Sequence, residues 1–313
     1  MTMWMILLSI AVIFLLICYG CYRFAFYAAP RKERPADFID LPPGKAYEPH
    51  YDQMTQWVRQ IRQLPREQFE ITAFDGLKLH GTYYEYAPGA PIELMFHGYR
   101  GNAERDLPGG VHRCFACGRS ALVVDQRCSG KSDGRTITFG IRERKDCLKW
   151  VDFAVDHFGP DVKLILTGIS MGAATVMMAA GEDLPENVIG ILADCGYTSP
   201  KAIMSHVMGQ MHLPAKLCWP FVRWGARIFG RFDPEECSPM EAMSRCKKPV
   251  IFFHGEDDDF VPCHMSRELY EACPTRKSIL TVPGADHGLS YVIAPEKYLE
   301  FLADFFGPEG SFR

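Results

Sequence analysis

The chain is predicted to fold as an α/β protein, with a mostly parallel central sheet, helices on both faces and a helical cap inserted late. Three observations predict it. Four apolar runs, Pro91 to Phe96, Val162 to Thr167, Lys248 to Phe253 and Ser278 to Val282, read as buried strands, and each leads into a loop carrying Gly with His, Ser or Asp. Helix-like stretches alternate with strands through residue 195, as a parallel sheet requires. Between Tyr197 and Cys246 that alternation stops, and Met204, Met208, Met211, Trp219, Phe221, Trp224, Ile228 and Phe229 mark an insertion, the cap of about residues 198–246.

The elements follow in order. The first 22 residues carry no charged side chain, and Trp4 to Tyr22 is long enough to cross a bilayer core of about 30 Å at about 1.5 Å per residue. Residues 1–22 are therefore read as a single transmembrane anchor. A cleavable signal peptide is the competing reading, but the segment has no N-terminal Lys or Arg and no A-x-A site precedes Pro30. Arg23, Arg31, Lys32 and Arg34 follow the span, which places the domain in the cytoplasm by the positive-inside rule. Ten of the twelve cysteines lie beyond the span without the spacing of a disulfide scaffold, which suits a reducing compartment. An anchor with an outward-facing domain is the alternative.

Residues 23–65 read as linker and helix. Pro30, Pro35, Pro42, Pro43, Gly44 and Pro49 mark an extended stretch expected to separate anchor from domain. Tyr51 to Leu64 follows as an amphipathic helix with Met54, Trp57, Val58, Ile61 and Leu64 on one face, packed on the domain or lying on a membrane. Residues 66–313 form the main domain. It opens with two antiparallel strands between Glu70 and Ala87, joined at Phe74-Asp75-Gly76.

The residues that carry chemistry stand at strand ends. Gly168-Ile169-Ser170-Met171-Gly172 joins a strand to the helix-like run Ala173 to Ala180. A serine on such a turn projects toward substrate only if its neighbours lack side chains that collide with the adjoining strand and helix, a demand Gly168 and Gly172 meet. The helix start adds unpaired N–H groups and a positive dipole end beside the serine. Acidic groups cluster in His254-Gly255-Glu256-Asp257-Asp258-Asp259-Phe260-Val261-Pro262, and His287 sits in the loop Pro283 to Gly288. In a parallel sheet these loops share one edge, so serine, acid and histidine can meet there. A serine hydroxyl needs an imidazole to take its proton, and the imidazole needs a carboxylate to fix its tautomer.

These residues resemble the α/β-hydrolase superfamily, above all bacterial members of the serine-aminopeptidase and monoglyceride-lipase type, including membrane-anchored hydrolases. The resemblance rests on His97 to Asn102, Asp125 to Ser132, Gly168 to Gly172, His254 to Pro262 and Gly284 to Gly288, and it covers roughly residues 66 to 307. Cys128 stands where family members often have glycine or another small residue, and it is small enough to need only a local adjustment. The resemblance implies Ser170 as nucleophile, His287 as general base and Asp258 as orienting acid, the last because His254-Gly255 and Val261-Pro262 set the register from both sides. It implies the backbone N–H groups of Tyr99 and Met171 as the oxyanion hole.

His97 and His254 are read as binding loop backbone, not as reacting. The other histidines, His50, His80, His112, His157, His206, His212 and His264, lack metal-ligand spacing, and Cys114-Phe115-Ala116-Cys117 reads as helix packing, so neither metal nor cofactor is expected. A net charge of −4 without a basic tract leaves no footprint for nucleic acid. The apolar cap residues form a cap core, and some face the nucleophile if the cap covers it, which points to carboxylic esters of apolar acyl or aromatic groups as substrates. A peptidase acting on short peptides and an inactive binding protein of the same fold are the alternatives.

Overall fold

The strands β1 (Glu67–Thr72), β2 (Lys78–Tyr84), β3 (Ile92–Phe96), β4 (Ser120–Asp125), β5 (Leu164–Ile169), β6 (Val188–Asp194), β7 (Val250–Gly255) and β8 (Lys277–Val282) form one sheet in the order β1-β2-β4-β3-β5-β6-β7-β8. This is a computed structural model, and it describes residues 2–30, 34, 35 and 37–307. Arg31 and Lys32 of the basic cluster, and the end of the domain beyond 307, lie outside the described residues. Only β1–β2 and β2–β4 pair antiparallel; the other pairs are parallel. That is the α/β-hydrolase arrangement, with its antiparallel opening at the Phe74 to Gly76 turn.

The central strands are buried on both faces, which is why they read as unbroken apolar runs and not as alternating ones. Glu93 is the exception inside β3. Its carboxylate is wholly buried but meets the Arg113 guanidinium and lies 2.7 Å from Arg119. Burial pushes this carboxyl up, and the two arginines outweigh that and hold it at about 2.

The helices are α1 (Thr2–Ala25), α2 (Tyr51–Gln63), α3 (Ala103–Asp106), α4 (Pro108–Ala116), α5 (Glu143–Phe158), α6 (Met171–Ala180), α7 (Pro200–Gln210), α8 (Ala215–Gly225), α9 (Pro239–Ser244), α10 (His264–Ala272), α11 (Ser290–Ile293) and α12 (Pro295–Phe306). Helix α6 is apolar all round because the sheet lies on one side of it and α5 and α9 on the other. Helix α2 buries Trp57, Val58 and Ile61, with Trp57 stacked near Tyr291 and His112, so its apolar face packs on the domain and not on a membrane.

The cap comprises α7, α8, a π-helical turn at Ala226–Gly230 and α9, inserted between β6 and β7. Its Met204, Met208, Trp219 and Val222 form one cluster with Met171, Met178 and Tyr197, and with Tyr22 and Phe26. The last two belong to the N-terminal segment. The expected spacer after residue 22 is therefore not a free tether at its start. Phe26 is fully buried, the Ile137 N–H donates to its carbonyl (2.8 Å), the Ala28 N–H donates to the Arg135 carbonyl (3.0 Å), and Tyr27 bridges Thr136. The proline pattern signals an extended backbone, and extended backbone can lie along a domain as readily as span a gap.

Candidate active site

Ser170 stands between β5 and α6 with φ 56° and ψ −116°, a conformation that costs a residue with a side chain on the order of 1–3 kcal/mol and persists only where the surroundings impose it. The surroundings are tight. A Cβ on Gly168 would lie 2.1 Å from the Gly172 carbonyl oxygen, and one on Gly172 would lie 2.0 Å from the Phe96 carbonyl oxygen. The Ser170 N–H donates to the main-chain oxygen of Asp194 at the end of β6 (2.9 Å), and the Ser170 carbonyl accepts the Ala174 N–H (3.0 Å).

Asp258 follows β7 and is buried. Its Oδ2 lies 2.7 Å from His287 Nδ1 and 3.2 Å from His254 Nε2, and its Oδ1 accepts the N–H groups of Phe260 (3.0 Å) and Val261 (2.7 Å). Burial pushes this carboxyl up, but the hydrogen bonds from His254, His287 and Val261 prevail and hold it at about 2, below the ordinary 3.8. It is thus a carboxylate at neutral pH. The neighbouring Asp257 and Asp259 are exposed.

His287 follows β8. Its own N–H donates to Asp286 Oδ1 (2.6 Å), its carbonyl accepts the Tyr47 hydroxyl (2.9 Å), and the Phe260 ring meets its imidazole edge-on at 5.1 Å. With Nδ1 bound to Asp258, the imidazole keeps Nε2 for other chemistry. Cys195, Asp258 and His287 each bring one potential donor atom within 4.8 Å of the others. Burial lifts the Cys195 thiol, and Asp258 already accepts from His287, His254, Phe260 and Val261, so this group is a packed wall and a poor metal cage.

The loop after β3 is braced from below. Fully buried His97 accepts the Gln126 N–H at Nε2 (3.0 Å), which leaves Nδ1 as the protonated nitrogen donating to the Gly98 carbonyl (2.8 Å). Burial lowers its pKa and keeps it neutral. The Gly98 N–H donates to Asp106 Oδ2 (3.1 Å). The next N–H, that of Tyr99, donates to no group among the described residues. Met171 opens α6, so its N–H has no partner within the helix. His254 likewise binds locally, to Ser266 Oγ (2.6 Å) and the Val261 carbonyl (2.7 Å).

Ser170, His287, Gly98 and Tyr99 line one cavity of about 620 Å³. Its walls differ from expectation. No residue between 198 and 246 lines it, but the cap adjoins its rim, where His206 and Gln210 of α7 bond the Asp259 carbonyl (3.0 and 2.6 Å) and the cap cluster packs on Met171 and Tyr99. The walls come instead from Pro42 to Tyr47, from Met54 and Trp57 of α2, from Leu107 to Gly110, and from Phe260 and Tyr291. Tyr47 and Phe260 were not singled out in the sequence. Phe260 adjoins the acidic cluster, a signal that was available; Tyr47 lies in a proline-rich stretch with nothing to mark it.

Asp194, at the end of β6, is a further acid lining the cavity. Burial raises its pKa against the opposing pull of His254, Tyr298 and Arg113, and its carboxyl accepts from Tyr298 (3.1 Å) and weakly from Ser290 (3.4 Å), not from His287.

Comparison with known proteins gives the family and the fold. The family profile of the prolyl oligopeptidase family matches residues 137–309. The chain is 26% identical over 248 residues to the Bacillus subtilis protein YqkD, covering 78% of this chain and 80% of that one. It is 25% identical over 197 residues to the Saccharomyces cerevisiae membrane protein YNL320W, covering 62% of each. Among solved structures it is similar to the Pyrococcus furiosus esterase Pf2001, with a TM-score of 0.63 and 22% identity over 80% of this chain and 96% of that one, a likeness of fold.

Proposed function

The chain belongs to the prolyl oligopeptidase family, and we propose that it is a serine hydrolase cleaving carboxylic esters of apolar acyl or aromatic groups through an acyl-enzyme. One observation carries this reading: Ser170, on a strained strand-to-helix turn, shares a cavity with His287, whose Nδ1 lies 2.7 Å from a buried carboxylate. Ser170 Oγ attacks the ester carbonyl carbon and passes its proton to His287 Nε2, while Asp258 stabilises the imidazolium. The tetrahedral oxyanion accepts the N–H groups of Tyr99 and Met171. As the intermediate collapses, His287 returns the proton to the leaving alkoxide and an acyl-serine remains. Water, deprotonated by His287, then releases the acid and restores Ser170.

The preference for apolar or aromatic groups is supported by the walls, where Met54, Trp57, Leu107, Phe260 and Tyr291 face the cavity. A peptidase acting on short peptides uses the same groups and is the second reading, which the match to the prolyl oligopeptidase family supports. Among the described residues one helix, Met3–Ala25, is long and apolar enough to cross a membrane, with a mean hydropathy of 2.5. We read it as the anchor of a membrane-bound enzyme whose domain faces the cytoplasm, with Arg23 and Arg34 on the positive side.

Full-length protein in detergent micelles, assayed on p-nitrophenyl esters of graded acyl length and on aminoacyl anilides, tests the reading. Ester turnover that Ser170→Ala abolishes is expected. Preference for the anilides moves the assignment to peptidase. A folded protein inactive on both classes points to the binding-protein alternative.

A further inference from the structure

The apolar N-terminal helix does not merely end near the domain; its last turn is bonded to the loop after β3. The final carbonyls of any α-helix lack intrahelical partners and carry the negative end of its dipole. In α1 they are met from outside. The Tyr99 hydroxyl donates to the Ala25 carbonyl at 2.7 Å, and the Arg100 guanidinium donates to the Phe24 carbonyl at 2.6 Å and reaches the Tyr27 carbonyl at 3.4 Å. Burial raises the Tyr99 phenol pKa, so the hydroxyl stays a donor.

Arg100 needs such support. Its φ of +55° lies in the left-handed region, which costs a residue with a Cβ roughly 1–2 kcal/mol. Tyr99 is fixed further by its ring, 4.9 Å from that of Phe139. The helix in turn is set against the cap. Phe14 meets Phe221 (5.6 Å between rings), a Cβ on Gly225 would lie 2.3 Å from the Cys18 carbonyl oxygen, and Tyr22 meets Phe229 (6.0 Å). Each pair lies four residues beyond the last in both helices. The two helices therefore run parallel in close contact through two turns, with only glycine admitted at the middle position.

We propose that the end of α1 is a positioning element of the catalytic centre: the Phe24 and Ala25 carbonyls hold Arg100 and Tyr99, and thereby set the Tyr99 N–H that receives the oxyanion. The proposal rests on the oxyanion role given to Tyr99 above. It makes the C-terminal half of α1, which packs on the cap, part of the active-site framework, so that displacing it from the cap lowers the rate of acyl transfer without emptying the cavity.

Full-length Tyr99→Phe keeps the backbone N–H and loses only the clasp. Expected are a 10-fold or larger fall in kcat with KM within twofold of wild type, and faster backbone hydrogen exchange across residues 97–102. Arg100→Gln follows the same pattern and Arg100→Lys, which can still donate to Phe24, recovers most of kcat. Gly225→Val, remote from the cavity and forced against Cys18, gives the same kcat loss and exchange increase, and serves if Tyr99→Phe does not fold. Wild-type kcat and unchanged exchange in the folded variants overturn the proposal while leaving the hydrolase reading intact. If wild type itself hydrolyses nothing, the hydrolase reading fails, and exchange alone decides whether α1 holds the loop.

Discussion

Asp258 is one of three adjacent aspartates, and its surroundings separate it from the other two. It alone is buried, and it alone meets His287. Asp258→Asn is expected to lower kcat on esters by roughly 10⁴-fold, the scale of losing the tautomer-setting charge in such triads. Asp257→Asn and Asp259→Asn should stay within threefold, and so should Asp194→Asn, whose carboxyl binds Tyr298 and not the imidazole. A pH signature follows as well. The Asp258 pKa is depressed in the folded state, from 3.8 to about 2, so the stability it contributes is present above pH 4 and lost as the pH falls through 2. That difference is worth about 2 kcal/mol. Thermal unfolding of wild type should therefore fall more steeply than that of Asp258→Asn between pH 4.5 and 2.5. Serine, acid and histidine were legible as residues because each occupies a strand end in a short glycine-marked loop. Tyr47 was not, since its contact to the His287 carbonyl joins positions 240 residues apart and no local pattern records it.

At the scale of elements, the strands and the serine turn were the legible part, because burial on both faces leaves an apolar run and a tight turn leaves glycines. Gly172→Ala should destabilise the domain by on the order of 3 kcal/mol, the upper range for overpacking a core, since the added methyl meets the Phe96 backbone and not a mobile side chain. Differential scanning calorimetry measures it. The cap is legible as an insertion, but not which of its residues face the cavity. Its methionines and aromatics fit a substrate wall and a packed core equally well, and which face meets the nucleophile depends on tertiary contacts. Trp219→Ala is expected to lower the melting temperature while leaving KM within twofold, because Trp219 is buried in the cap cluster and lines no part of the cavity. Phe260→Ala should do the converse, raising KM for aryl esters about 10-fold, as loss of one apolar wall group does.

For the whole molecule, the N-terminal 65 residues read as anchor, linker and amphipathic helix, and each touches the domain. Helix α1 ends against the loop after β3, Pro42 to Tyr47 walls the cavity, and α2 supplies Trp57. Apolarity and proline content report what a segment can cross or how it extends, not what it lies against. The proposed chemistry requires Ser170 to be the nucleophile, with His287 as its base and Asp258 stabilising the imidazolium. Reaction of the full-length protein with a fluorophosphonate, followed by peptide mass spectrometry, tests this most directly. One adduct is expected, on Ser170, formed rapidly in wild type, orders of magnitude more slowly in Asp258→Asn, and absent in Ser170→Ala. An adduct on another residue, or a folded wild-type protein that takes up no label, contradicts the account.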